Sequence, residues 1–99
     1  MKILKKAVTP DGVNIQLEDW SEDYNIYSYG SLIGAYPRKI MRVRAECQCE
    51  NHSEALKIFN DLVIGKTTVF NEAFTVMVRG GNRISLKSEL ENRKNKNLI

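Results

Sequence analysis

The chain has 99 residues, 42% of them hydrophobic and 27% charged, which fits one globular domain that buries about 60–65% of its unfolded surface. Two cysteines and one histidine are too few for a disulfide framework or for a zinc site closed by four Cys and His ligands. The formal charge of +3 is unevenly spread: residues 87–99 carry four cations and two carboxylates, which leaves eleven and ten of the 15 and 12 for residues 1–86, so the body is nearly neutral and the basicity belongs to a polar tail.

In chain order, residues 3–8 are expected to be extended. Thr9-Pro10-Asp11-Gly12 then turns the chain, because proline presets φ at the second turn position and glycine accepts positive φ further on. Val13, Ile15 and Leu17 alternate with Asn14, Gln16 and Glu18, the period of a half-buried strand, so residues 3–18 read as a β-hairpin. The acidic stretch 19–25 follows, with Trp20 as a lid at the core edge. Between Ile26 and Tyr36, Gly30 and Gly34 each disfavour a helix by about 1 kcal/mol, which leaves a bent or broken strand closed by Pro37.

From 41 to 50 the alternation is almost faultless. Met41, Val43, Ala45, Cys47 and Cys49 share one face, and Arg42, Arg44, Glu46, Gln48 and Glu50 the other. Asn51, with Glu54 three residues on, resembles a capping arrangement, with Asn51 or Ser53 able to accept from a free helix amide. Ala55, Ile58, Phe59, Leu62 and Val63 then form one apolar stripe, and Gly65 suits the C-terminal cap. Phe74, Val76 and Val78, then Gly80-Gly81-Asn82, then Ile84 and Leu86 predict a second hairpin. The expected result is an α+β domain over residues 1–86, a mostly antiparallel sheet of four to six strands with one helix, about 52–64, packed on one face. Residues 87–99 follow as a basic tail, a frayed helix or disordered.

Cys47 and Cys49 lie two apart on one strand face, about 6.6 Å at Cα, the upper edge of disulfide geometry. With His52 they offer three zinc ligands and no fourth. Their place in the apolar register instead predicts buried, reduced thiols. The stretch NDLVIGKT, 60–67, departs from the phosphate-binding loop only at Asn60, but there a helix ends where the loop would have to open one. No cofactor is expected. Glu18, Asp19, Glu22 and Asp23 cluster without the spacing of a calcium loop and read as a solvated acidic loop. No nucleophile elbow or paired base marks a catalytic residue, and no enzyme is expected. Arg42 and Arg44 on the polar strand face, with Tyr27, Tyr29 and Tyr36 before them, are the basic and aromatic mixture of a sheet that binds single-stranded nucleic acid. Glu46 and Glu50 continue that face and reduce its charge.

The segments AVTPDGVNIQLEDWSEDY and SLIGAYP, within the first 37 residues, and to a lesser degree EALKIFNDLVIGK, resemble small proteins of conjugative or integrative elements in low-GC Gram-positive bacteria. That resemblance implies an accessory gene on a mobile element and carries over no site residue.

No apolar run approaches the roughly 18 residues of a membrane span, and MKILKKAV lacks the apolar region of a signal peptide, so a cytoplasmic location is expected. The leading expectation is a non-catalytic protein-interaction or accessory factor, engaging another protein or itself through exposed strand edges. The alternative is nucleic-acid binding through the Arg42/Arg44 face and the basic tail.

Overall fold

A computed structural model describes residues 1–22 and 30–97 of the chain. It contains β1 (Lys2–Val8), β2 (Asn14–Asp19), β3 (Ser31–Tyr36), β4 (Ala45–Gln48), α1 (His52–Ile64), β5 (Thr75–Met77), β6 (Arg83–Ser85) and α2 (Leu86–Asn97), with one 3-10 turn at Arg79–Gly81. The six strands form a single sheet in chain order, and every neighbouring pair is antiparallel. The fold is α+β as expected, and a second helix joins the expected one. Among the described residues, no helix is long and apolar enough to cross a membrane.

The first hairpin forms where the turn chemistry places it. The Gly12 amide donates to the Thr9 carbonyl at 2.9 Å, and the buried Thr9 hydroxyl accepts from the Val13 amide at 3.0 Å. Strand alternation then sorts the two faces. Val13, Ile15 and Leu17, with Ile33 and Ala35 of β3 and Ala45, Cys47 and Cys49 of and after β4, enter the core. Ala55, Phe59 and Leu62 of α1 cover that face, and α1 packs on β2 and β3.

The clearest predicted strand is shorter than its alternation. Met41 and Val43 are buried and half-buried as that register requires, but only residues 45–48 are strand. The reason lies across the sheet. β3 ends at Tyr36, and Pro37 has no N–H to extend the ladder. Its carbonyl instead accepts from the Ile40 and Met41 amides at 3.0 and 2.7 Å, which curls the chain before β4. Glu46, expected on a solvated face, is only 7% exposed.

Both ends of α1 are capped by the expected residues. The Asn51 side chain accepts from the Glu54 amide at 2.8 Å, and the Glu54 carboxylate reaches back to the Glu50 amide at 2.9 Å, a capping box displaced by one residue. Val63, counted in the apolar stripe, is exposed near the helix end. The C-terminal segment continues the domain past residue 86: Leu86 of α2 is 1% exposed, and Leu90 packs against the core.

Gly65 ends α1 at φ +81°, with Pro10 Cγ 3.1 Å from where a Cβ would stand. Gly81 has a similar φ of +78° with nothing within 4 Å. Alanine at Gly81 is therefore expected to cost about 1–2 kcal/mol from backbone conformation alone, and Gly65→Ala measurably more because Pro10 must also move. Urea denaturation of the two variants checks the order.

Candidate nucleic-acid interface

The face of the sheet turned away from the helices is built around a buried carboxylate. Glu18, on β2, is 0% exposed. Its Oε1 accepts from Arg44 Nη2 at 2.6 Å and Trp20 Nε1 at 2.8 Å, and its Oε2 from Arg44 Nη1 at 2.8 Å and Gln16 Nε2 at 2.5 Å. Four donors meet the four lone-pair positions of an ionised carboxylate, and two come from one planar guanidinium in a bidentate fork. Burial pushes this carboxyl up. The hydrogen bonds from Arg44, Gln16 and Trp20 and the charge of Arg44 outweigh burial and hold it below its ordinary value. Arg44 is shifted up in turn, first by the hydrogen bond to Glu18 and against its own burial.

Gly34 makes this pair possible. On β3 it stands opposite Gln16 on one side and Glu46 on the other, and a Cβ there would lie 2.5 Å from Arg44 Nη1 and 2.6 Å from Glu18 Oε2. The ion pair occupies the space a side chain would take. From it a polar belt crosses the sheet: Arg44 Nη2 lies 3.5 Å from Glu46, Glu46 lies 3.1 Å from Arg83 of β6, and Arg83 Nε donates to Thr75 of β5 at 3.0 Å.

Tyr36 stands beside this pair. Its hydroxyl accepts from Arg44 Nη1 at 2.7 Å, and the guanidinium carbons of Arg44 and Arg38 lie 5.6 and 5.8 Å from its ring centre, within cation–π range. Two shallow hollows adjoin here. One, of about 680 Å³, is lined among others by Lys6, Gln16, Tyr36 and Arg38. A second, of about 520 Å³, is lined by Tyr36, Arg38, Arg42, Val43 and Arg44. A third hollow, of about 560 Å³, shares Val43 but is lined by the core residues Val76 and Ile84 and by α2, where Glu89 pairs with Arg93 at 3.1 Å. Lys39 sits at the same end of the sheet, its Nζ 3.5 Å from where a Cβ on Gly12 would stand. Among the described residues, Lys6, Arg38, Lys39 and Arg42 are exposed and have no ion-pair partner.

The sequence candidates thus divide. Tyr36, Arg42 and Arg44 come together around one hollow, but Arg44, expected to be exposed, has 30% of its side chain accessible and its charge is matched by Glu18. Tyr27, Tyr29 and Asp23 lie outside the described residues. Arg38, Lys39 and Lys6 were not among the candidates, although the run YPRKIMRVR, 36–44, holds four cations and no acid. Glu18, expected in a solvated acidic loop, is instead the buried centre of the face. Asp19 accepts from the Ser21 amide at 2.9 Å, which holds its carboxyl below the ordinary value, and Glu22 is exposed.

Cys47 and Cys49 are unbonded and buried. A hydrogen bond with Cys49, then burial, pushes the Cys47 thiol up. His52 is exposed at the start of α1, with Nδ1 3.4 Å from Ser31 Oγ, and no group of three or more His, Cys, Asp or Glu among the described residues is arranged to hold a metal ion. Among the described residues, the Ser31 and His52 contact is the one pairing of a hydroxyl with an imidazole. Among the described residues no carboxylate hydrogen-bonds the other ring nitrogen to orient it as a base.

Removing Arg44 strands a buried carboxylate, so Arg44→Met is expected to destabilise by about 3 kcal/mol, while the double variant Glu18→Leu/Arg44→Met recovers most of that loss; thermal unfolding of the three variants checks it. Folded Glu18 titrates below its ordinary value of 4.5, so its ionised form favours folding. That contribution is complete above 4.5 and is lost as pH falls through the lower folded value. The stability difference between the native chain and Glu18→Gln is expected to hold constant above this range and to shrink below it in acid titrations followed by circular dichroism.

Compared with known proteins, the chain matches no family model, no curated protein and no solved structure.

Proposed function

We propose that this chain is a non-catalytic nucleic-acid-binding domain that holds the phosphate backbone at the basic end of its open sheet face. The observation that carries the reading is the convergence of Lys6, Arg38 and Arg42 on two adjoining hollows, with no ion-pair partner for any of them among the described residues. Exposed cations on a concave surface attract polyanions and release their counterions on contact. Arg44 contributes differently from the others. Its charge is committed to Glu18, so it shapes the hollow and holds Tyr36 while Arg38 and Arg42 meet phosphate.

The other expectation, pairing through a strand edge, has a specific location and less support. β1 is an outer strand of the sheet, with Ile3, Leu4 and Val8 exposed. It also carries Lys2, Lys5 and Lys6 and a register break between Ile3 and Lys5, and lysines and bulges are features that keep an edge from pairing. Of these lysines, Lys6 stands opposite Gln16 and lines the basic hollow.

Fluorescence anisotropy with a labelled oligonucleotide tests the proposal. Binding is expected at low salt and should weaken steeply as salt rises. Arg38→Gln/Arg42→Gln should flatten the plot of log K against log salt by roughly 2 with an unchanged melting temperature, since both side chains are exposed. Absence of binding at low salt to both single-stranded and duplex DNA would overturn it.

A further inference from the structure

The cations account for attraction to any polyanion; they do not account for Tyr36. This ring lies outside the core cluster, on the open face, half-buried, and it lines two hollows at once. It is also held in place. Arg44 donates to its hydroxyl at 2.7 Å, and the same guanidinium is forked onto a carboxylate that has no solvent exposure. The tyrosine is therefore fixed by a chain of contacts running down to Gly34, where the absence of a side chain leaves room for that pair. Around the ring stand Arg38 and Arg42, the first exposed and 5.8 Å from the ring centre.

We infer that Tyr36 is a stacking platform for one unpaired base and that the ligand of the basic hollow is single-stranded nucleic acid. This rests on the nucleic-acid reading above and narrows it. A duplex keeps the faces of its bases inside its own stack, so a ring at the centre of a cationic hollow has nothing to meet there, whereas an unpaired base lays its face on an aromatic ring while its phosphates reach the surrounding cations. Arg38, exposed and within cation–π range of the ring, is free to close over the base or turn to the adjacent phosphate. Arg44, held by Glu18, stays where it is. The neighbouring hollow gives the strand a path from Tyr36 toward Lys6.

The test uses the full chain and three labelled probes of one length, about 12 residues, within the usual site sizes: an oligothymidylate, an abasic deoxyribose-phosphate oligomer of equal charge, and a duplex. The oligothymidylate is expected to bind about tenfold more tightly than either of the others. Tyr36→Ala should lower its affinity to that of the abasic oligomer and leave the abasic affinity unchanged, while Tyr36→Phe, which keeps the ring, should retain most of the preference. Equal affinity for the oligothymidylate and the abasic oligomer would overturn the stacking inference and leave the nucleic-acid reading standing, as would a preference for duplex. Failure of all three probes to bind at low salt would overturn both. The comparison of probes on the native chain decides the matter even where Tyr36→Ala proves unfolded.

Discussion

Glu18 sits inside a sheet with no access to water, and an ionised carboxylate in that position destabilises the fold unless every lone pair has a donor. The structure meets the demand with three side chains from neighbouring backbone. Gln16 and Trp20, two residues to either side on or next to the same strand, share a face with Glu18 through simple alternation. Arg44 arrives from the far side of β3 and must cross it, and it crosses at Gly34. A chain of requirements follows: a central strand with a glycine at that register, an arginine one residue ahead of β4, and a β3 to β4 connection that delivers it there. Pro37 and the buried Met41 shape that connection by closing a turn and anchoring it to the core.

The same interaction decides which charges are available on the surface. A mixed row of arginines and glutamates on an exposed strand face would ordinarily cancel by loose pairing in water, where each pair contributes little. Here the cancellation is internal and geometric. Glu18 and Glu46 are committed to Arg44 and Arg83 in a belt across the sheet, so they leave Arg38 and Arg42 unneutralised. The buried carboxylates do not dilute the basic end; by fixing Arg44 and through it Tyr36, they give it a rigid floor.

Much of the fold was legible because its signals are local. The Thr9 to Gly12 turn, the Asn51 and Gly65 caps and the alternation of Val13, Ile15 and Leu17 each depend on a few adjacent residues and on backbone preferences that hold in any context. Buried thiols at Cys47 and Cys49 followed from register in the same way. The open face was not legible, since its logic is non-local. Nothing in EDW or GAY indicates that Glu18 and Gly34 share a site with Arg44, and alternation alone assigns Glu18 and Glu46 to water. Gly34 read as a weak point in a strand because a glycine's absent side chain says nothing about what fills the space. Lys6 and Arg38 escaped notice for a related reason: they meet only when the first hairpin lies beside β3. The run of four cations without an acid in YPRKIMRVR was the one sequence signal available, and it lies at the basic end of the sheet.

Net charge misleads in such a small domain. Eleven cations and ten carboxylates over residues 1–86 describe a neutral body, yet the field a ligand meets depends on which of those charges face outward together. Two carboxylates are used inside the sheet, and others cap Glu50 and Ser21 amides at the opposite strand ends. Lys6 of β1 and Arg38, Lys39 and Arg42 of the β3 to β4 connection stay in solvent at the other end. A domain arranged this way needs no overall excess of positive charge to present a basic surface, only a separation of its charges, and the buried pair at Glu18 and Arg44 is the means by which this sheet keeps them apart.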